Sequence, residues 1–169
     1  MASFAKHIGS LITKEGGYVL TDNPNDRGGQ TYAGISRKWN PDWPGWAVID
    51  RGGVPAKELV DGFYRVRYWN AICGDKLKSD DVAEILLSSA VLSGAGTAVW
   101  LAQMAVGAKP DRRMGPKTLK AVNEASPELF EAMFLLMRIN RFREICNRDR
   151  SQDANLLGWL NRVYAELES

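Results

Sequence analysis

The sequence predicts a mainly α fold: a helical bundle around a long central helix, with one small β-hairpin in an N-terminal lobe. Three observations predict it. Apolar residues recur at helical spacing through most of the chain, beginning with Phe4, Ile8, Leu11 and Ile12. Residues 16–35 interrupt that period with Gly, Asn, Asp and Pro around short Tyr-Val-Leu and Thr-Tyr-Ala pieces. Residues 79–107 are almost wholly Ala, Val, Leu, Ser and Gly, the composition of a helix buried on most sides.

Taken in order, the first helix is expected over residues 2–15, with Lys6, Ser10, Thr13 and Lys14 opposite the apolar stripe and Gly16-Gly17 as its stop. The hairpin follows. Ser36 is expected to cap a short helix, and Asn40-Pro-Asp-Trp-Pro-Gly-Trp46 to be a loop, because its prolines cannot stand in a helix interior. Pro55 suits the first turn of a helix carrying Leu59, Phe63, Val66 and Tyr68. Ser79 caps the central helix, which Gly94-Ala95-Gly96 should bend or break. Further helices are predicted over residues 116–125, over residues 127–148 behind a Ser126 cap, and over residues 155–167. No repeat or linker separates the halves, so the expected organisation is a catalytic lobe of residues 1–91 and a helical lobe of residues 92–169, packed as one compact unit.

Composition narrows the function classes. With 169 residues, 45% of them apolar and 25% charged, the chain can bury a core and is not disordered. Its net charge of +2, from 22 basic and 20 acidic residues, leaves no electrostatic footprint for nucleic acid. The densest basic stretch, Arg138 to Arg150, also carries Glu144 and Asp149 and reads as a solvated helix face. Cys73 and Cys146 match no metal or redox spacing and read as small thiols, with a disulfide left open. The lone His7 reads as a packing or surface residue; without a second histidine, neither a zinc site nor a Cys–His nucleophile is expected. No apolar run reaches membrane-spanning or signal-peptide length. The expected setting is synthesis in the cytoplasm without an export signal.

The chemistry centres on Glu15. It follows Phe4 by eleven residues, about three helical turns, and so falls on the apolar side of the first helix. Desolvation there disfavours the charged carboxylate and suits it to donate a proton, as a glycosidic oxygen requires. Gly16 and Gly17 leave space for a bulky ligand beside it. Asp26 and Thr31 come eleven and sixteen residues later, where a hairpin would return them toward the helix end. They could hold an attacking water, as an inverting hydrolysis needs; a retaining one needs a closer carboxylate. Local roles compete with these: an Asx-turn for Asp26, a strand position for Thr31, and core packing for Trp43, Trp46 and Trp69 rather than stacking on sugars.

Glu15-Gly-Gly-Tyr18, Asp26-Arg-Gly-Gly-Gln-Thr31, Gly34-Ile35-Ser36, Phe63-Tyr64-Arg65 and Tyr68-Trp69 together resemble the signature of glycoside hydrolase family 108, lysozyme-like N-acetylmuramidases of phages and bacteria. The C-terminal half is similar to the peptidoglycan-binding module that accompanies this family, through Asp111-Arg-Arg-Met-Gly115-Pro116-Lys-Thr118. Arg112 stands where that turn usually has glycine, so a positive φ there would be strained. The resemblance implies a lysozyme-like α+β fold and an endolysin that hydrolyses the β-1,4 bond between N-acetylmuramic acid and N-acetylglucosamine. In it, Glu15 matches the catalytic glutamate, Asp26 and Thr31 assist, and Tyr18, Gly29, Trp46, Tyr64 and Trp69 contact substrate. It also implies a monomer that needs no cofactor or metal and whose partner is bacterial peptidoglycan, with no nucleic acid and no stable membrane insertion. Such an enzyme reaches the wall after the membrane is permeabilised. Two alternatives accompany this reading: a lytic transglycosylase, and a non-catalytic wall-binding or secretion-assisting protein.

Overall fold

The computed structural model describes residues 1–22 and 29–167, without the side chains of residues 166 and 167. Among them the fold is mainly α, as expected. Helix α1 (Phe4–Lys14) leads into three two-residue strands, β1 (Leu20–Thr21), β2 (Thr31–Tyr32) and β3 (Ile35–Ser36). They form one antiparallel sheet in the order β1-β2-β3, with Leu20 opposite Tyr32 and Tyr32 opposite Ile35.

Helices α2 (Gly45–Ile49) and α3 (Lys57–Tyr64) follow, and α3 continues as a wider π turn over Arg65–Trp69. The central segment is two helices, α4 (Asp80–Ser93) and α5 (Ala95–Ala105), broken at Gly94. Ser79 caps α4 by accepting from the Val82 amide at 3.3 Å. Helices α6 (Pro116–Glu124), α7 (Pro127–Arg148) and α8 (Asp153–Leu167) complete the chain, with Ser126 accepting from the Leu129 amide at 3.2 Å to start α7. Helix α5 packs on both α4 and α7, and α8 packs on α7. Among the described residues no helix is long and apolar enough to cross a membrane.

Several local expectations need correction. Ser36 caps no helix; it ends β3, and a turn follows in which the Asn40 amide donates to its carbonyl at 3.0 Å. The Pro- and Trp-rich loop does contain helix, because Pro44 sits just before α2, where a missing N–H costs nothing. The largest correction concerns the tryptophans. Trp69 is wholly buried, its indole N–H donating to Asp75 at 2.8 Å and its ring 5.6 Å from that of Phe4. Trp46 is buried edge-on to Trp43 at 5.1 Å, and its N–H donates to the Asn40 carbonyl at 2.8 Å. Neither offers a face to a sugar: both satisfy their one polar atom inside the core and contribute apolar area there.

His7 is buried against the Trp69 ring at 5.8 Å, with Nε2 3.3 Å from Asp80, so it ties α1 to the start of α4. Cys73 and Cys146 are both free thiols.

Candidate active site

Three stretches of chain meet at the C-terminal end of α1. Glu15 is the residue that closes this helix, with φ −84° and ψ 11°. The Gly17 amide donates to the Ile12 carbonyl at 2.8 Å and the Gly16 amide to the Thr13 carbonyl at 3.2 Å. This paired closure turns the chain away sharply through left-handed backbone, at φ +93° for Gly16 and +76° for Gly17. The glycines therefore end the helix and leave the carboxyl group beside a bend without side chains.

The second stretch is the β2–β3 turn, Ala33-Gly34. Both residues have positive φ, +48° and +75°, the mirror-image turn that matches the twist of a two-residue hairpin. Gly34 lies so close to Glu15 that a Cβ added there would stand 3.0 Å from Glu15 Oε2 and 2.5 Å from the Tyr64 hydroxyl. Only glycine serves at this position, on both backbone and contact grounds.

The third stretch is the end of α3. Tyr64 is buried, and its hydroxyl donates to the Ala33 carbonyl at 2.8 Å, which fastens the hairpin turn against Glu15. Burial, with the Glu15 charge adding to it, drives the Tyr64 phenol far above its ordinary range, so it stays a neutral donor. Tyr68, one turn on with its ring 5.7 Å from that of Tyr64, is half-buried and raised for the same first reason.

Glu15 is exposed rather than turned into the apolar face of α1, yet the surrounding atoms strip enough water from its carboxyl group to raise its pKa. The negative end of the α1 dipole acts in the same direction. The positive charge of Arg162, on α8, opposes the shift. A carboxyl group poised this way can carry a proton above the pH at which an ordinary glutamate has lost it, and can give it to a leaving oxygen.

The other predicted site residues divide. Tyr18 lies beside this cluster, partly exposed, with its phenol among the groups that influence Tyr64 and itself in contact with Lys57 and Asp61. Thr31 begins β2 and is half-buried; its hydroxyl donates to the Gly29 carbonyl at 3.2 Å, where Gly29 has φ +63°. Asp26 falls outside the described residues. Trp46 and Trp69 are core. Sequence reasoning missed Tyr68 and Arg162 as neighbours of Glu15. For Tyr68 the signal was present, one helical turn beyond Tyr64; for Arg162 there was none, since one arginine on an amphipathic helix looks like any solvated one. Among the described residues no group of His, Cys, Asp and Glu is arranged to hold a metal ion.

In the C-terminal half, buried Gln103 organises the turn before α6. Its Nε2 lies 2.8 Å from Asp111 Oδ1, 3.0 Å from the Arg113 carbonyl and 3.2 Å from Thr118 Oγ1, while its Oε1 accepts from the Arg112 amide at 2.9 Å. Hydrogen bonding from Gln103 holds the Asp111 carboxyl below the usual range. A groove of about 760 Å³ runs beside this turn, lined in part by Val106, Lys109, Arg113, Pro116 and Thr118.

A family model described as glycosyl hydrolase 108 matches residues 8–94, and one described as a predicted peptidoglycan domain matches residues 97–164. No curated protein matches the sequence. The solved structure of Brucella abortus SagA is similar to this chain, with a TM-score of 0.70 and 27% identity over 96% of this chain and 90% of that one. Since the first model alone spans more than half of it, the chain belongs to glycosyl hydrolase family 108 and is a glycoside hydrolase acting on peptidoglycan.

Proposed function

We propose that the protein is a muramidase of endolysin type, cutting the β-1,4 bond between N-acetylmuramic acid and N-acetylglucosamine with Glu15 as general acid. The observation that carries this reading is the placing of the Glu15 carboxyl at the end of α1, against a turn that admits no side chain, where burial of the group raises its pKa. Tyr64 keeps that turn in place, and in this reading Tyr18 and Gly29 contact the sugar strand. Asp26 and Thr31 position the attacking water. Residues 1–91 supply the chemistry and residues 92–169 hold the wall polymer, in a monomer that reaches peptidoglycan once the membrane is breached.

Replacing Glu15 by Gln keeps the shape and removes the proton. We expect Glu15→Gln to lose about 10²- to 10⁴-fold in wall hydrolysis, the usual contribution of a general acid, with its circular dichroism unchanged. Unchanged activity in a folded variant would refute the assignment.

A second reading has one observation in its favour. The Thr31 hydroxyl is engaged with the Gly29 carbonyl, and a lytic transglycosylase needs no residue there to hold water. Mass spectrometry of digested sacculi separates the two: reducing ends support hydrolysis, anhydro ends support the transglycosylase.

A further inference from the structure

A groove of about 520 Å³ opens between α3 and residues 39–44, within the size range of ligand-binding clefts. Neither Glu15 nor Tyr64 lines it, although Phe63, which does, packs edge-on to Tyr64 at 5.4 Å. Gly62 also lines it, from within α3. A glycine inside a helix weakens that helix relative to alanine, yet a Cβ built at Gly62 would meet nothing within 4 Å. Packing therefore does not demand this glycine; its effect is to keep the groove bare. On another side stands Trp39, 65% exposed even with Lys38 Nζ 5.3 Å over its ring, whereas the other five tryptophans are buried or half-buried. Asp42 and Glu58 line the same groove, and among the described residues neither carboxylate is paired with a cation. Arg67 adds a guanidinium, 5.8 Å over the Phe63 ring.

This lining narrows the ligand. An anionic polymer would face two carboxylates against one guanidinium, and a purely apolar partner would strip water from carboxylates it cannot satisfy. A neutral sugar meets both conditions. Its C–H face can lie on the electron-rich indole face, and its hydroxyl and acetamide N–H groups can donate to carboxylates, which only accept. Of the two sugars in peptidoglycan, N-acetylglucosamine is the neutral one, while N-acetylmuramic acid carries the acidic arm and its peptide. We infer that the groove between residues 39–44 and α3 binds an N-acetylglucosamine unit of the wall strand, with Trp39 stacked on the ring and Asp42 and Glu58 accepting from its polar groups. It is a hold on the polymer separate from the Glu15 site, and it rests on peptidoglycan as the substrate, not on Glu15 as the acid.

The test adds chitotetraose, a neutral β-1,4 oligomer of N-acetylglucosamine, to isotope-labelled full-length Glu15→Gln protein and follows the indole N–H resonances. The Trp39 signal, identified as the one missing from Trp39→Ala, should move saturably. In the same background Glu58→Gln should weaken that response about tenfold, the effect of losing one charge-assisted hydrogen bond. Gly62→Leu fills the groove with a better helix former, so it should keep or raise the thermal midpoint while the Trp39 response is lost. A static Trp39 signal, or an undiminished response in either variant, overturns the inference. So does a Trp39 signal that responds to a stem tetrapeptide and not to chitotetraose, since the groove would then take peptide. If Gly62→Leu does not fold, Glu58→Gln alone decides. Cleavage of the oligomer in the Glu15→Gln sample, seen by mass spectrometry, would refute Glu15 as the acid, while the Trp39 signal still judges the groove.

Discussion

Arg112 holds the left-handed backbone at φ +65°, a conformation in which a Cβ crowds the following carbonyl at a cost of about 1–2 kcal/mol. The surrounding turn imposes it: Gln103 Oε1 fixes the Arg112 amide at 2.9 Å, and Asp111 Oδ1 fixes that of Arg113 at 3.0 Å. The strain foreseen from an arginine in a glycine position is therefore present. Arg112→Gly should raise stability by about 1 kcal/mol, read as a higher midpoint in urea with an unchanged slope. A lower midpoint would mean that the arginine side chain contributes more than its backbone costs. The residue scale also marks where sequence reasoning stops. Glu15 and its two glycines are legible because the features that define them, helix period and chain reversal, are local. Trp46 and Trp69 are not, because an indole with one satisfied N–H serves a core as well as it serves a sugar surface, and the neighbours that decide between them come from distant segments.

At the scale of elements, the hairpin turn and the end of α1 act as a single fitted unit. Gly34→Ala places a methyl group 2.5 Å from the Tyr64 hydroxyl and 3.0 Å from Glu15 Oε2, in a backbone region with φ +75°. The methyl must displace either Tyr64, breaking its bond to Ala33, or the Glu15 carboxyl. We expect a loss of about 2–4 kcal/mol in stability, from strained backbone plus a disrupted buried hydrogen bond, with activity falling in parallel. A variant as stable and as active as the parent would show that this contact is dispensable. Elements with strong punctuation were legible: Ser79 before α4, Ser126-Pro127 at α7, and Gly94 between α4 and α5. The five-residue α2 was not, since a single turn carries too little periodicity to stand out from a Pro-rich loop. Nor was the π turn at Arg65–Trp69, where packing of Trp69 into the core, rather than any local propensity, accompanies the widening.

Across the whole molecule, α8 acts on the Glu15 end of α1 through the charge of Arg162. Burial raises the Glu15 pKa, so the proton-donating form persists above the ordinary glutamate value of about 4.3 and is lost as pH rises through the shifted one. Activity should therefore be high on the acid side and fall on an alkaline limb set by Glu15. Folding carries the same sign. Between the unfolded and the folded pKa the native state binds more protons, so stability declines as pH rises through that window. Tyr64 and Tyr68 face the carboxyl but remain neutral there, because burial raises both phenols. That leaves Arg162 as the charged group acting on Glu15, and its cation stabilises the anion. In Arg162→Gln that support is gone, the Glu15 pKa climbs further, and the alkaline limb should move to higher pH. Rates on a soluble muropeptide polymer, measured across pH for both proteins, test this directly: an alkaline limb that stays in place, or moves to lower pH, would mean that the C-terminal lobe exerts no electrostatic control over the acid.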